Sequence, residues 1–132
     1  MIQMELSRLL IAESQDYQLI ELREKDGDRH FPIVIGLYEA AAIERRWNDV
    51  VPKRPQTHEL LANTIRDMGG RLTEIVINDL TQGTFFAQLV IEIDKRTVRV
   101  DSRPSDAIAL GIAEEVPIYV AEQVLIKANQ PQ

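Results

Sequence analysis

From Thr84 to Ile93 apolar and polar side chains alternate almost without a break. Phe85, Ala87, Leu89, Ile91 and Ile93 fall on one face; Phe86, Gln88, Val90 and Glu92 fall on the other. A period of two is the signature of a strand with one face toward a core. Asp94-Lys95-Arg96 then turns the chain, and Val98 and Val100 alternate with Arg99 and Asp101 in a second strand. Beyond it the period changes. Ala107, Ile108, Leu110, Gly111 and Ile112 recur at helical spacing, with Pro104 where a first-turn proline belongs. A hairpin that feeds a helix excludes an all-helical fold and calls for a sheet with helices packed on it.

The rest of the chain obeys the same grammar. Strands are expected over Met1–Ile11, Tyr17–Arg23, Phe31–Ile35, Leu72–Leu80 and Pro117–Val120. Turns are read at Ser14-Gln15-Asp16, Lys25–Asp28 and Thr81-Gln82-Gly83. The run Leu9-Leu10-Ile11 suggests burial on both faces, and Pro32 argues for an edge strand or a strand start. Helices are expected over Leu37–Trp47, Glu59–Met68 with Thr57 as N-cap, from Pro104 to near Glu115, and over Ala121–Lys127. Gly36 marks the first change from strand to helix, and Gly69-Gly70 ends the second helix. Strand, hairpin, strand, helix occurs twice. Laying Phe31–Ile43 over Val98–Leu110 places Glu39 on Asp106, so an internal β-β-β-α duplication is an expectation, with chance similarity the alternative. The class is α+β: a mostly antiparallel, strongly curved sheet or partial barrel with helices against it. One domain spans residues 1–127, and residues 128–132 form a polar tail.

Composition narrows the function classes. No cysteine is present, which removes disulfides, thiolate metal sites and cysteine nucleophiles and suits a reducing, cytoplasmic setting. The N-terminus lacks the pattern of a signal peptide, and no apolar run is long enough to span a bilayer. The net charge is −6 and the pI about 4.9. Nucleic-acid binders that rely on electrostatics alone carry a basic stripe. Here the longest basic clusters are Arg45-Arg46 and Lys53-Arg54, so any nucleic-acid contact needs a local positive patch or a bridging divalent cation.

The candidates for chemistry are few. Asp101, Ser102, Arg103, Ser105 and Asp106 crowd the last strand-to-helix junction. A helix start with free N–H groups can hold an anion or a metal–anion pair; it can also be a well-capped helix and nothing more. Asp101 and Asp106, with Glu39 as a third carboxylate, suit a hard cation such as magnesium or manganese; helix-dipole complementation is the structural alternative. His58 is the candidate general base, or else a solvated first-turn residue. His30 flanks a strand and reads as surface. Arg54 and Arg103 each precede a proline before a helix start and could grip a phosphate; a salt bridge to Glu59 or Asp106 would occupy them equally well. No Walker loop, nucleophile elbow or zinc-protease helix is present.

Four segments, in order, carry a resemblance. RPSDAIALG (Arg103–Gly111), FPIVIGLYEAAAI (Phe31–Ile43), RPQTHELL (Arg54–Leu61) and NDLTQGTFFAQL (Asn78–Leu89) resemble elements of the bifunctional nuclease family, the BFN domain. The resemblance implies cleavage of phosphodiester bonds in RNA and DNA, with nucleic acid as substrate. It points to Asp101, Asp106 and Glu39 for a divalent cation, His58 for water activation, and Arg54, Arg103 and Ser105 for phosphate. The competing expectation is a non-enzymatic oligomeric regulatory module, or one that binds anions or nucleotides. A long apolar strand face and Trp47 near a helix end suggest a homo-oligomer.

Overall fold

A computed structural model, describing residues 1–12, 14 and 17–130, resolves these expectations. The elements are β1 (Ile2–Leu10), β2 (Gln18–Glu24), β3 (His30–Ile35), α1 (Leu37–Trp47), α2 (Thr57–Asp67), β4 (Arg71–Thr81), β5 (Thr84–Ile93), β6 (Arg96–Ser102), α3 (Pro104–Ala113), β7 (Ile118–Val120) and α4 (Glu122–Ala128). The strands form one seven-stranded sheet in the order β3-β2-β1-β7-β4-β5-β6. All neighbours are antiparallel except β4 and β7, which run parallel. Two three-stranded meanders, each followed by a helix, are thus joined in the ladder through β7, whose Ile118–Val120 pairs with Met4–Ile2 on one side and Ile75–Ile77 on the other.

One face of this sheet carries the core. Met4, Ile20, Leu22, Phe31, Ile33, Ile75, Ile77, Ala87, Leu89 and Ile91 are buried in one cluster with Ala40 and Ile43 of α1, Ala62 of α2, Ala107–Leu110 of α3, and Val124 and Leu125 of α4. Phe31 of β3 stacks on Phe85 of β5, with ring centroids 5.5 Å apart, so the inner faces of the two meanders meet. Seven of the ten residues of α3 are buried, as expected of a helix apolar on most of its circumference. Gly111 allows its close seating: a Cβ there would lie 2.7 Å from Ile75 Cγ1.

The ladder is open, with β3 and β6 as its edges. Pro32, which has no N–H to offer, lies on the β3 edge. Leu10 is 48% exposed rather than buried on both faces, because β7 covers only the Ile2–Met4 end of β1. The N-cap of α2 is Gln56 rather than Thr57; the Gln56 N–H donates to Glu59 Oε1 at 3.0 Å. α3 ends at Ala113, short of Glu115, whose φ of 57° turns the chain out of the helix. Ala128 belongs to α4, so the tail is shorter than expected. Gln15 and Asp16 of the first predicted turn, and Pro131 and Gln132 of the tail, lie outside the described residues. Among the described residues, no helix is long and apolar enough to cross a membrane.

α1, α2 and α3 run side by side in the same direction. At one end Glu39 of α1 meets Arg103 before α3, and His58 of α2 meets Asp106 of α3. At the other, Arg46 of α1 reaches Ala109 O and Leu110 O of α3, and Arg66 of α2 reaches Glu114 after α3. Arg46 is the tie. Its Nε donates to Ala109 O at 2.6 Å, and Nη1 donates to Glu59 of α2. Its side chain is only 6% exposed. Of the basic cluster Arg45-Arg46, one member is therefore structural.

Arg46→Ala strands the Glu59 carboxylate and should cost about 3 kcal/mol, toward the lower end for a broken buried pair because Glu59 keeps some exposure. Adding Glu59→Gln should recover part of that loss in chemical denaturation. Asp94 and Lys95 turn the β5–β6 hairpin with φ of 51° and 63°. Lys95→Gly should therefore stabilise the fold by up to about 1 kcal/mol, read as a higher denaturant midpoint at unchanged slope.

Candidate active site

Parallel alignment gathers three helix N-termini in one place. Their dipoles bring partial positive charge to that end. The first turns supply the compensating carboxylates, Glu39 on α1, Glu59 on α2 and Asp106 on α3. Between them lies a cleft of about 350 Å³, bordered by Tyr38, Glu39, Arg45, His58, Arg103 and Asp106.

The polar groups form a chain. Asp106 accepts at both oxygens: Oδ1 lies 3.0 Å from His58 Nε2, and Oδ2 takes a hydrogen bond from Arg103 Nε at 2.8 Å. Arg103 Nη1 donates onward to Glu39 Oε1 at 3.0 Å. Gly36 leaves the room Glu39 needs, since a Cβ there would sit 2.9 Å from Glu39 Oε1. Partial burial pushes the Asp106 carboxyl up, but the hydrogen bonds from Arg103 and His58, with their charges, outweigh it and hold it below its ordinary value. The bond to Asp106 raises Arg103 in turn, against a smaller desolvation. In Glu59, desolvation is likewise outweighed by the bonds from Arg46 and the Gln56 N–H, and its carboxyl is lowered.

Those charges fix the histidine. An ionised Asp106 can only accept, so His58 must carry its proton on Nε2. In neutral His58 the lone pair is then left on Nδ1, which has no hydrogen-bond partner among the described residues. The His58 side chain is 12% exposed at the cleft. A base oriented by a carboxylate, beside guanidinium groups and helix N–H donors, is equipped to move a proton near a bound anion. Arg45 adds a second cation: its Nε is buried and without a partner.

Four residues expected from sequence therefore converge: Glu39, His58, Arg103 and Asp106. Asp101 does not. On β6, Ser102, Val100 and Val98 pair with Ala87, Leu89 and Ile91 and share the core face; Asp101 pairs with Gln88 and projects from the opposite face. The strand's own alternation thus separates Asp101 from Asp106. Ser105 is buried, 6% exposed, and does not border the cleft. Arg54 stays exposed in the loop before α2, also outside the lining. His30 is exposed at the start of β3. Sequence reasoning missed Arg45, Tyr38 and Gln56 as lining residues. The spacing Tyr38, Ala42, Arg45 is that of one helix face and would have placed the first and last together.

The donor set does not suit a cation held between Asp101 and Asp106. The two lie on opposite faces of the sheet, and both oxygens of Asp106 already serve His58 and Arg103. No group of three or more metal-ligating side chains gathers among the described residues.

A model of the bifunctional nuclease domain matches residues 20–132. Two proteins of Mycobacterium tuberculosis, from strains CDC 1551 / Oshkosh and ATCC 25618 / H37Rv and both described as uncharacterized, are each 43% identical over 119 residues. The match covers 90% of this chain and 71% of each relative. With the family match running through α1, α2 and α3 and every residue of the His58–Asp106–Arg103–Glu39 chain, this protein belongs to the bifunctional nuclease domain family.

Proposed function

We propose that this chain cleaves phosphodiester bonds in nucleic acid at the three-helix cleft. His58 acts as general base, Asp106 orients it, and Arg103 and Arg45 take the phosphate, with Glu39 fixing Arg103. The observation that carries this reading is the His58–Asp106 pair at 3.0 Å, with the second ring nitrogen left free beside two guanidinium groups. Family membership supports it. The net charge of −6 is no obstacle, because the cleft lining sets Arg45 and Arg103 against Glu39 and Asp106 and is not part of the chain's acidic excess, while the helix N-termini add partial positive charge.

One observation favours a second reading. Arg103 is already paired with Asp106 and Glu39, as in a helix-capping cluster. A module that binds nucleotides without cutting them would show a thermal upshift with nucleotides and no cleavage.

Labelled RNA and DNA oligonucleotides, incubated with purified protein in magnesium, manganese and EDTA, decide between them. Cleavage should fall by about 100-fold or more in His58→Ala and Arg103→Ala. It should persist at the parent rate in Asp101→Ala, which alters the far face of the sheet. Cleavage that survives His58→Ala rejects the site.

The depressed Asp106 carboxyl also predicts a pH dependence of stability. Asp106 is ionised in the folded state below its ordinary value of 3.8. Its contribution is therefore complete above the unfolded value and lost as pH falls through the lower folded value. The Tm difference between the parent chain and Asp106→Asn should be constant above about pH 5 and shrink below about pH 4.

A further inference from the structure

One aromatic ring borders the cleft. Tyr38, in the first turn of α1, is 87% exposed, more than any other aromatic residue of the chain, and takes no part in the core. A ring left in water at the mouth of a polar cleft is surface open to a flat apolar partner. Along α1 the cleft wall runs Tyr38, Ala41, Ala42 and Arg45, one helix face at i, i+3, i+4 and i+7. The two alanines carry only methyl groups, so no bulky side chain of α1 stands between the ring and Arg45. Helix side chains lean toward the N-terminus, so a first-turn ring reaches toward the helix start. The next residue, Glu39, holds Arg103 at 3.0 Å. Tyr38 is therefore the immediate chain neighbour of the carboxylate that fixes the phosphate-binding arginine.

Resting on the phosphodiester-cleaving reading above, we propose that Tyr38 is the base platform of the site: a nucleobase adjoining the bound phosphate stacks on its ring. The phosphate contacts hold charge, and the tyrosine holds the strand by a base. Every base has a π-face, so this contact serves RNA and DNA alike and reads no sequence. Tyr38 moves no proton and meets no reacting atom. It is a binding residue, and its ring rather than its hydroxyl carries the contact.

Single-stranded RNA and DNA oligonucleotides of one sequence, with an abasic residue placed in turn at each position around the cut, test this on the full chain. Tyr38→Ala should raise KM for the intact strand about 10-fold, with a much smaller fall in kcat. Its Tm should match the parent's, because the side chain is exposed. Tyr38→Phe, which keeps the ring, should stay within about 2-fold of the parent KM. In the parent, one abasic position should raise KM by the same factor as the loss of the tyrosine, and in Tyr38→Ala that position should no longer matter. A parent-like KM in Tyr38→Ala, a Tyr38→Phe variant as weak as Tyr38→Ala, or abasic and Tyr38→Ala effects that multiply overturns the proposal and leaves the phosphodiesterase reading standing. Absence of cleavage of either strand, with magnesium, manganese or EDTA, overturns both.

Discussion

Three helices laid side by side with their positive ends together are electrostatically awkward, and this molecule is organised around resolving that. Each N-terminus carries a fractional positive charge, and gathering them raises the local potential. Glu39, Glu59 and Asp106, one in each first turn, oppose it. Farther along, Arg46 donates to Ala109 O and Leu110 O of α3, and Arg66 pairs with Glu114 just after it. Arg46 does most, because it is buried and touches two carbonyls of α3 and the carboxylate that also anchors the start of α2. Remove it and the alignment of α2 against α3, on which the approach of His58 to Asp106 depends, loses its fixed point.

The sheet has a different task. Its two meanders are stitched by the three residues of β7 and then pressed together by apolar burial on a single face. That single-sided core sorts the polar residues. Everything in register with Ala87, Leu89 and Ile91 faces the helices; everything one residue out of step faces away. The cleft is thus assembled from helix starts, their approach loops and one side of α1 as far as Arg45, and the strands supply a rigid backing.

Much of this was legible in the sequence, and the exceptions are instructive. The strand Thr84–Ile93 and the helix Leu37–Trp47 match their predicted limits, because periodicity and the punctuation at Gly36 and Gly83 agree. Local capping chemistry pointed to Glu39, Asp106 and His58 as first-turn residues. What one sequence could not give was the relative direction of the helices, a matter of long-range packing, so the union of His58 with Asp106 was guessed rather than read. The error over Asp101 has a simpler cause. Nearness along the chain to Asp106 was weighed above the alternation of Val98 and Val100, which already placed Asp101 on the other face. Leu10 was misjudged because β7 is too short to cover it, a length no local pattern encodes. Arg46 was indistinguishable from its exposed neighbours until α3 was seen to end against it.

The claim at the centre of this account is that the positive ends of α1, α2 and α3 form a seat for a phosphodiester. An NMR titration with a dinucleotide joined by a slowly cleaved phosphorothioate linkage tests that seat without requiring turnover. The account predicts that the Nε–H signals of Arg45 and Arg103, the ring signals of His58 and the backbone amides opening the three helices move together and saturate with one dissociation constant. Shifts confined to the opposite face of the sheet, around Arg99 and Asp101, or no saturable shift in the cleft, would contradict it.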